Sequence, residues 1–564
     1  MGYTWNELAG ADLRLILVVT LRGVRYRFAD RAMTITEEAG DRLYLPGLPA
    51  DLELLDSVAL PGGGISDRSI EVDLLFTGEN ADGWAAITSS DQDIGDATGE
   101  LSLIRDGDAY DRRHVLLSGP LDAVSYGAPS EPVSFSLTDS PWLPAGVVIP
   151  SDSQQCTADT WPRPGYAGYD DTLERNGLEE AWYPIVIGSP GHSGPLRDAG
   201  GYDYYEASPA LIVEMPTAGS NAAAACTILL AGHPTAAASA SSSVRLFNRT
   251  ATGGSWPINV SPVLMEDGLG QTCTVVQLDN SAGDPLIEDG AELWAAWRNT
   301  ATGGYPSIRE AGRSLRELGE VLAWLFSQSG LSIDTGALRA LEPELAGLYV
   351  DTVINDQIDP VDLLLDQVLP LFPLVWWISP RGLVLKRWPF DAEGSDVQAT
   401  IDTSTGCERV TAVSRSSPYD VTNRRGISYA WKPPVDHHLA RITLAPSKRA
   451  DEGTTELEPY LMASARRYGE RQAEDLSTEI IMDGPTARAA LSWLVRWDSS
   501  TREQVAYLCP LEYSSLEPCA VVQVTDPDLG WTERLCAVTS ITRSASPTTT
   551  LELVTLPDLI RDAA

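Results

Sequence analysis

Asp483-Gly484-Pro485-Thr486-Ala487-Arg488-Ala489-Ala490-Leu491-Ser492-Trp493-Leu494-Val495-Arg496-Trp497-Asp498 begins the stretch that decides the fold, which runs on to Leu556. Pro is favoured at the start of a helix, where its missing N–H costs nothing. Ala490, Leu491, Leu494 and Trp497 then recur at helical spacing, and Asp498-Ser499-Ser500 ends the run. Four strand-like runs follow: Gln504–Leu508, Ala520–Thr525, Leu535–Thr542 and Thr549–Thr555. Turn-rich segments such as Asp526-Pro527-Asp528-Leu529-Gly530 separate them. Val522 and Val524 alternate with Gln523, the pattern of a half-buried strand. Nothing in this unit reads as a reaction centre. It reads as a barrel or sheet that must fit against neighbours.

A chain of 564 residues is too long for one core and implies about three to five domains. The 16 Trp and 19 Tyr against 7 Phe are amphipathic aromatics, suited to half-buried surfaces, though ordinary core packing uses them too. With 79 acidic and 40 basic residues the net charge is −39. That argues strongly against a nucleic-acid-binding face, which needs clustered Lys and Arg, and against binding anionic lipid. It does not exclude a channel through which DNA passes, since an acidic wall repels phosphate, and it suits a solubility adaptation. Met1-Gly2-Tyr3-Thr4-Trp5 lacks a basic leader, and Leu13–Leu21 is interrupted by Arg14 and too short to span a bilayer. A soluble protein made in a cytoplasm, without stable membrane insertion, is the expectation. Seven scattered cysteines suggest reduced thiols rather than a disulfide framework.

Residues 1–145 read as mostly β, with Leu13–Leu21 and Val24–Phe28 flanking the hairpin pair Arg22-Gly23. Further strands are expected at Ser69–Phe76, Glu100–Arg105, Val115–Ala123 and Val133–Thr138, and a short helix at Asn80–Ser89 with Trp84 and Ile87 inward. Pro61-Gly62-Gly63-Gly64 lacks the Lys of a P-loop. Residues 146–306 are rich in Gly, Pro, Ala and Ser and read as an inserted β-rich domain. Its strands are expected at Tyr183–Ile187, Ala210–Met215, Thr227–Leu230, Val244–Asn248, Cys273–Leu278 and Leu293–Arg298. Its aromatics Trp161, Tyr166, Tyr169, Trp182, Tyr183, Tyr202, Tyr204 and Tyr205 suit sugar stacking, or a subunit contact. Residues 307–400 read as α+β. Ser307 with Glu310 forms a capping-box pattern, and Ile308, Ala311, Leu315, Leu318, Leu322 and Leu325 form a stripe ending at Gly330. Asp359-Pro360 opens a second helix, Pro360–Leu369, with Val361, Leu364, Leu365 and Val368 inward. A hairpin follows, Leu374–Ser379 and Gly382–Trp388 around Pro380-Arg381. Within 401–564, Arg425–Trp431 reads as a strand and Pro459–Leu476 as a third helix.

Candidate chemistry is sparse. His437-His438 point to opposite faces of a strand, which disfavours a shared metal. Gly191-His192-Ser193-Gly194 does not match the Gly-x-Ser-x-Gly turn of hydrolases. Asp91, Asp93 and Asp96, and Asp106, Asp108 and Asp111, lack EF-hand spacing. Cys407, Cys509, Cys519 and Cys536 supply four thiols for an iron–sulfur cluster, but in no compact cluster spacing. No pair among the acids stands out for glycoside cleavage. No residue is therefore assigned a catalytic, cofactor-binding or metal-binding role, and a non-enzymatic protein is expected.

The order of parts carries a resemblance. Asp351–Trp388, with Asp359-Pro360 before an apolar helix and Arg381-Gly382 in a hairpin, resembles the middle of phage tail hub (baseplate hub or tail tip) proteins. Asn423-Arg424-Arg425-Gly426-Ile427-Ser428-Tyr429 is similar to the strand that follows in such hubs. So is Pro485-Thr486-Ala487 on a helix, then Leu516-Glu517-Pro518 before Val521–Asp526; many hubs have Gly-Asp after that Pro, where Cys519-Ala520 stands here. The resemblance covers about 1–145, by pattern only, and 307–556, with 146–306 inserted. It implies a mainly β, multidomain chain: two hub-type antiparallel β-barrels, at 1–145 and 401–564, a helix-containing α+β domain and an inserted β-rich domain. It implies a homotrimeric virion structural protein that adapts the sixfold tube to a threefold tip and helps close and open the DNA channel. The implied partners are a distal tail or tail tube protein, a tape measure protein and a tail fibre or tip protein. The implied place is the tail tip or baseplate of a virion assembled in the host cytoplasm. The alternative is a receptor- or glycan-binding tail-tip protein acting through 146–306.

Overall fold

The computed structural model describes residues 12–49, 52–57, 69–88, 97–128, 131–138, 147–166, 168–192, 204–216, 225–235, 243–251, 256–279, 287–297, 304–331, 333–379, 382–449, 454–543, 546 and 548–557. The Pro61–Gly64 loop, the Asp91, Asp93 and Asp96 cluster, Tyr202, Pro380-Arg381, and most of the Ala222–Ala225 and Ala236–Ser243 tracts lie outside them.

The fold is mainly β and multidomain. At the N-terminal end, β1 (Leu13–Leu21) and β2 (Val24–Ala29) pair across Arg22 (φ 51°) and Gly23 (φ 78°). Two left-handed residues give the turn whose twist matches that of the strands. The chain continues through β3 (Met33–Glu37), β4 (Gly40–Pro46), β5 (Leu54–Ser57), β6 (Ser69–Leu74), helix α1 (Asp82–Thr88), β7 (Thr98–Arg105), β8 (His114–Ser125) and β9 (Val133–Thr138). The sheet order is β3-β4-β2-β1-β7-β8-β9-β6. One face of this sheet packs around Leu15, Leu17, Leu74, Leu103 and Phe135. On the other face of β1, Ile16 and Val18 are covered by Met33, Ile35 and Tyr44. That second cover is why β1 reads as an almost unbroken apolar run rather than an alternation. Ile87 of α1 is buried as expected, and Trp84 is half-buried against Tyr126.

The inserted region contributes β10 (Ile185–Ile187), β11 (Ser208–Pro209), β12 (Leu211–Glu214), β13 (Ala225–Ala231), β14 (Val244–Asn248), β15 (Ile258–Val260), β16 (Val263–Glu266), β17 (Thr272–Asp279) and β18 (Leu293–Trp297). Two four-stranded sheets, β11-β18-β14-β15 and β12-β13-β17-β16, share a core of Ile212, Ile228, Val244, Leu246 and Trp297.

The helix expected from Ser307 begins only at Leu318. Ser307 Oγ does accept from the backbone N–H groups of Arg309 (3.1 Å) and Glu310 (2.8 Å). Gly312 then takes φ 80°, and Leu315 N–H donates to Tyr305 O at 2.6 Å, so these backbone bonds leave the helical path. Ile308 is accordingly exposed, while Leu318, Leu322 and Leu325 are buried on α2 (Leu318–Ser329), which ends at left-handed Gly330. Helix α3 (Thr335–Leu341) and β19 (Thr352–Ile354) follow. Asp359 caps the next turn by accepting from Val361 N–H at 2.8 Å. The expected Pro360–Leu369 helix is α only over Pro360–Asp362, then a wider π turn, Leu363–Val368, and a 3-10 turn, Leu369–Leu371. The changed register buries Leu363 and leaves Leu365 half-buried. The hairpin is β20 (Leu374–Ser379) with β21 (Gly382–Arg387).

The C-terminal part holds β22 (Ala399–Asp402), β23 (Glu408–Arg409), β24 (Ser414–Arg415), β25 (Arg425–Lys432), β26 (His437–Ala445), β27 (Thr454–Leu457), helix α4 (Pro459–Tyr468), β28 (Leu476–Ser477), helix α5 (Gly484–Asp498), β29 (Glu503–Pro510), β30 (Val521–Asp526), β31 (Trp531–Arg543) and β32 (Thr548–Thr555). Helix α4 stops short of the expected Leu476. Gly469 takes φ 81°, and Arg471 exchanges bonds with Asn423 instead, its N–H donating to Asn423 Oδ1 at 2.9 Å. One sheet runs β22-β30-β31-β32-β29-β23, with β24 on β29 and β5 on β31; the other runs β27-β26-β25-β28. Helix α5 serves two cores. Ala487, Ala490 and Leu491 pack with Tyr429 and Ile442, while Trp493 and Trp497 pack with Val375, Trp388 and Val521. Its apolar surface is therefore wider than one stripe.

Candidate functional site

Two junctions tie the parts of the chain together. Strand β5 leaves the N-terminal region and adds to β31, pairing Ser57 with Ser540 and Leu54 with Arg543. Asp56 and Arg543, 6% and 7% exposed, form an ion pair there. The Arg543 guanidinium also donates to Ser514 O (3.1 Å) and Leu516 O (2.7 Å). Burial lowers its pKa to about 10. Leu511, from the C-terminal sheet's side, sits in the N-terminal core. The two ends of the chain thus share a strand, an ion pair and a packed side chain.

A second junction ties the inserted region to the α+β part. Arg316 holds Asp351 with two bonds, Nε–Oδ1 at 2.7 Å and a terminal nitrogen to Oδ2 at 2.8 Å. Asp351, fully buried, also accepts from Ser189 N–H at 2.7 Å. Strand β10 pairs with β19 beside it. One continuous core runs from Ile149, Ile187 and Tyr205 through Leu322 and Phe372 to Leu491. The Tyr205 hydroxyl donates to Met482 Sδ at 2.6 Å, and Lys432 pairs with Glu206 at 2.6 Å.

The residues singled out for chemistry are dispersed. Trp161 and Tyr183 are fully buried in one core and Tyr205 lies in another, so these three offer no stacking platform. Tyr169 is half-buried beneath Arg175, whose guanidinium carbon lies 3.8 Å from the ring centroid. His437 is exposed and His438 half-buried on β26, His438 tilted against Trp431. Asp106 is paired with Arg31. His192 packs edge-on against Tyr204. Among the described residues no three His, Cys, Asp or Glu side chains stand together as a metal-binding group. Cys519 lies in a different core from Cys407, Cys509 and Cys536, and Cys407 and Cys509 face each other.

No family model matches the chain, and no curated protein does. Several solved structures are similar to it. The 43 kDa tail protein of prophage MuSo2 from Shewanella oneidensis aligns with 96% of this chain and 97% of its own, at 9% identity and a TM-score of 0.34. Prophage tail protein gp18 from Listeria monocytogenes EGD-e aligns with 97% of this chain and 96% of its own, at 10% identity and a TM-score of 0.32. A chain of the virion of a native gene transfer agent particle aligns over 68% of this chain and 86% of its own, at 14% identity and a TM-score of 0.39.

Proposed function

We propose that this chain is a structural protein of a phage tail or tail-like particle and, within it, the trimeric hub at the distal end of the tail tube. The observation that carries the reading is the β5–β31 pairing. It joins two eight-stranded sheets, one from each end of the chain, into a fixed pair. Three such chains present six β-units, the number a sixfold tube requires above a threefold tip. Cys519 supports the resemblance from another side. It stands where many hubs have Gly, and its φ is 68°, a backbone region Gly enters freely. Arg424, in the Asn423–Tyr429 run, is fully buried and held by Glu470 at 2.9 Å, a structural rather than a recognition role.

In this reading the work is assembly and conformational change, not catalysis. A net charge of −39 suits a lumen that passes DNA without holding it. The partners are a second and third copy of the chain, a tube or distal tail protein above, and tape measure and fibre or tip proteins at the axis. No helix among the described residues is long and apolar enough to cross a membrane. The receptor- or glycan-binding alternative loses Trp161, Tyr183 and Tyr205 to the cores.

The test is imaging of the particle by cryo-electron microscopy. Three copies of this chain below the sixfold tube support the proposal. Its density elsewhere in the particle, or a copy number other than three at the tip, contradicts it.

A further inference from the structure

Strands β23 and β29 pair antiparallel, with Glu408 opposite Leu508 and Arg409 opposite Tyr507. One residue further along this register, Cys407 stands opposite Cys509. Val410 N–H donates to Ala506 O at 3.0 Å, which makes 410–506 a hydrogen-bonded pair. Positions alternate, so 408–508 is also of that kind and 407–509 is a non-hydrogen-bonded pair. At such pairs the Cα atoms lie about 4.5 Å apart and the side chains approach closely. Disulfides span Cα separations of about 4.4–6.8 Å.

We propose that Cys407 and Cys509 are a redox-active thiol pair that closes to a cross-strand disulfide when the chain meets a disulfide oxidant. The two thiols are not equivalent. Cys407 lines a cavity of about 500 Å³ together with Thr403, Gly406, Arg409, Asp526 and Asp528. Both thiols are buried, Cys407 at 4% exposed and Cys509 at 0%, and of the two it is Cys407 that reaches the cavity. The neighbouring Cys509 thiol lowers the Cys407 pKa against the opposing effect of burial, and the same neighbour raises Cys509. Burial pushes Cys156, Cys226 and Cys536 up to about 12 instead. Cys407 is the thiol that reaches the cavity, so it meets the oxidant first and is the nucleophile, with Cys509 the resolving thiol.

With oxidised glutathione the step balances. The Cys407 thiolate attacks one glutathione sulfur, the S–S bond breaks, and one glutathione leaves as thiolate. That thiolate takes the Cys509 proton. Cys509 then attacks the Cys407 sulfur of the mixed disulfide and displaces the second glutathione. Two protein thiols are oxidised and one glutathione disulfide is reduced. The product pins the short strand β23 to β29 at the edge of the C-terminal sheet. This inference stands on the strand register and holds whether or not the chain is a tail hub.

The test uses the purified full chain treated with oxidised glutathione, quenched in acid, then unfolded and alkylated for peptide mass mapping. The expected result is a Cys407–Cys509 linked peptide, with the other five cysteines alkylated and a raised thermal midpoint. In Cys509→Ser the expected product is glutathione retained on Cys407. Alkylation of both Cys407 and Cys509 in the treated wild-type chain overturns the proposal. So does a linkage of either residue to another cysteine.

Discussion

Arg543 and Asp56 form a buried ion pair between strands contributed by opposite ends of the chain. Taking one partner away strands the other charge out of water. Removing one member of a buried pair costs about 3–5 kcal/mol, whereas replacing both by apolar groups is often neutral. Asp56→Asn or Arg543→Met alone should therefore lower the urea midpoint strongly. The double variant Asp56→Leu, Arg543→Met should recover much of the loss. Equal losses in single and double variants would show that the pair does not hold the junction.

The Asp351 junction makes a sharper claim about one glycine. Gly188 has φ 67°, and a Cβ placed there would lie 2.2 Å from Asp351 Oδ1. Gly312, at φ 80°, has open space around the same atom. Gly312→Ala should cost about 1–2 kcal/mol from the left-handed backbone alone. Gly188→Ala should cost more, because the Cβ also meets Val350 O at 2.6 Å and Asp351 must move away from Ser189 N–H and Arg316. Chemical denaturation of the two variants compares them directly, and equal losses would count against the network.

His233 gives the inserted region a pH dependence. Its Nε2 accepts Val186 N–H at 3.0 Å, so the folded ring is neutral there. Burial lowers its pKa from 6.5 to about 4. The unfolded chain then binds a proton that the folded chain refuses, so the contribution is complete above pH 6.5 and is lost as pH falls toward 4. That loss is about 3 kcal/mol. In His233→Gln the amide oxygen keeps the acceptor without titrating. The melting temperature of the variant should fall less steeply than wild type across that window, and parallel curves would refute the assignment.

Cys519 holds a left-handed backbone, at φ 68°, with a buried thiol. Cys519→Gly relieves about 1–2 kcal/mol of backbone strain while losing a small buried side chain. It should be close to neutral. Cys519→Val adds β-branching at the same φ and should destabilise by more than 1 kcal/mol, roughly. Thermal unfolding of both variants separates the two effects.

Much of the fold was legible where local pattern and packing agree. The four C-terminal strands, the Leu13–Ala29 hairpin with its Arg22-Gly23 turn, and the 374–387 hairpin follow from alternation and turn residues. The helix starting at Asp483 follows from its cap, Asp483 Oδ1 accepting Thr486 N–H at 2.9 Å. Capping chemistry misled at Ser307, because the same Ser bonds occur in a turn that Gly312 then diverts. Short strands β3, β4 and β5 carry too little pattern to be read from sequence. Polar alternation such as Met33-Thr34-Ile35-Thr36-Glu37 is brief, and Leu54–Ser57 gains its meaning only from β31, nearly five hundred residues away. The thiol pair was hidden for the same reason. In the sequence Cys407 and Cys509 stand only as two of four thiols with no compact cluster spacing, and the β23–β29 register is what makes them neighbours.

The central claim is best tested by the mass of the purified chain in solution, measured by light scattering at two concentrations. The hub reading predicts a species of three times the 60.7 kDa chain mass at both. A dimer, a tetramer, or a monomer that persists at the higher concentration would contradict it.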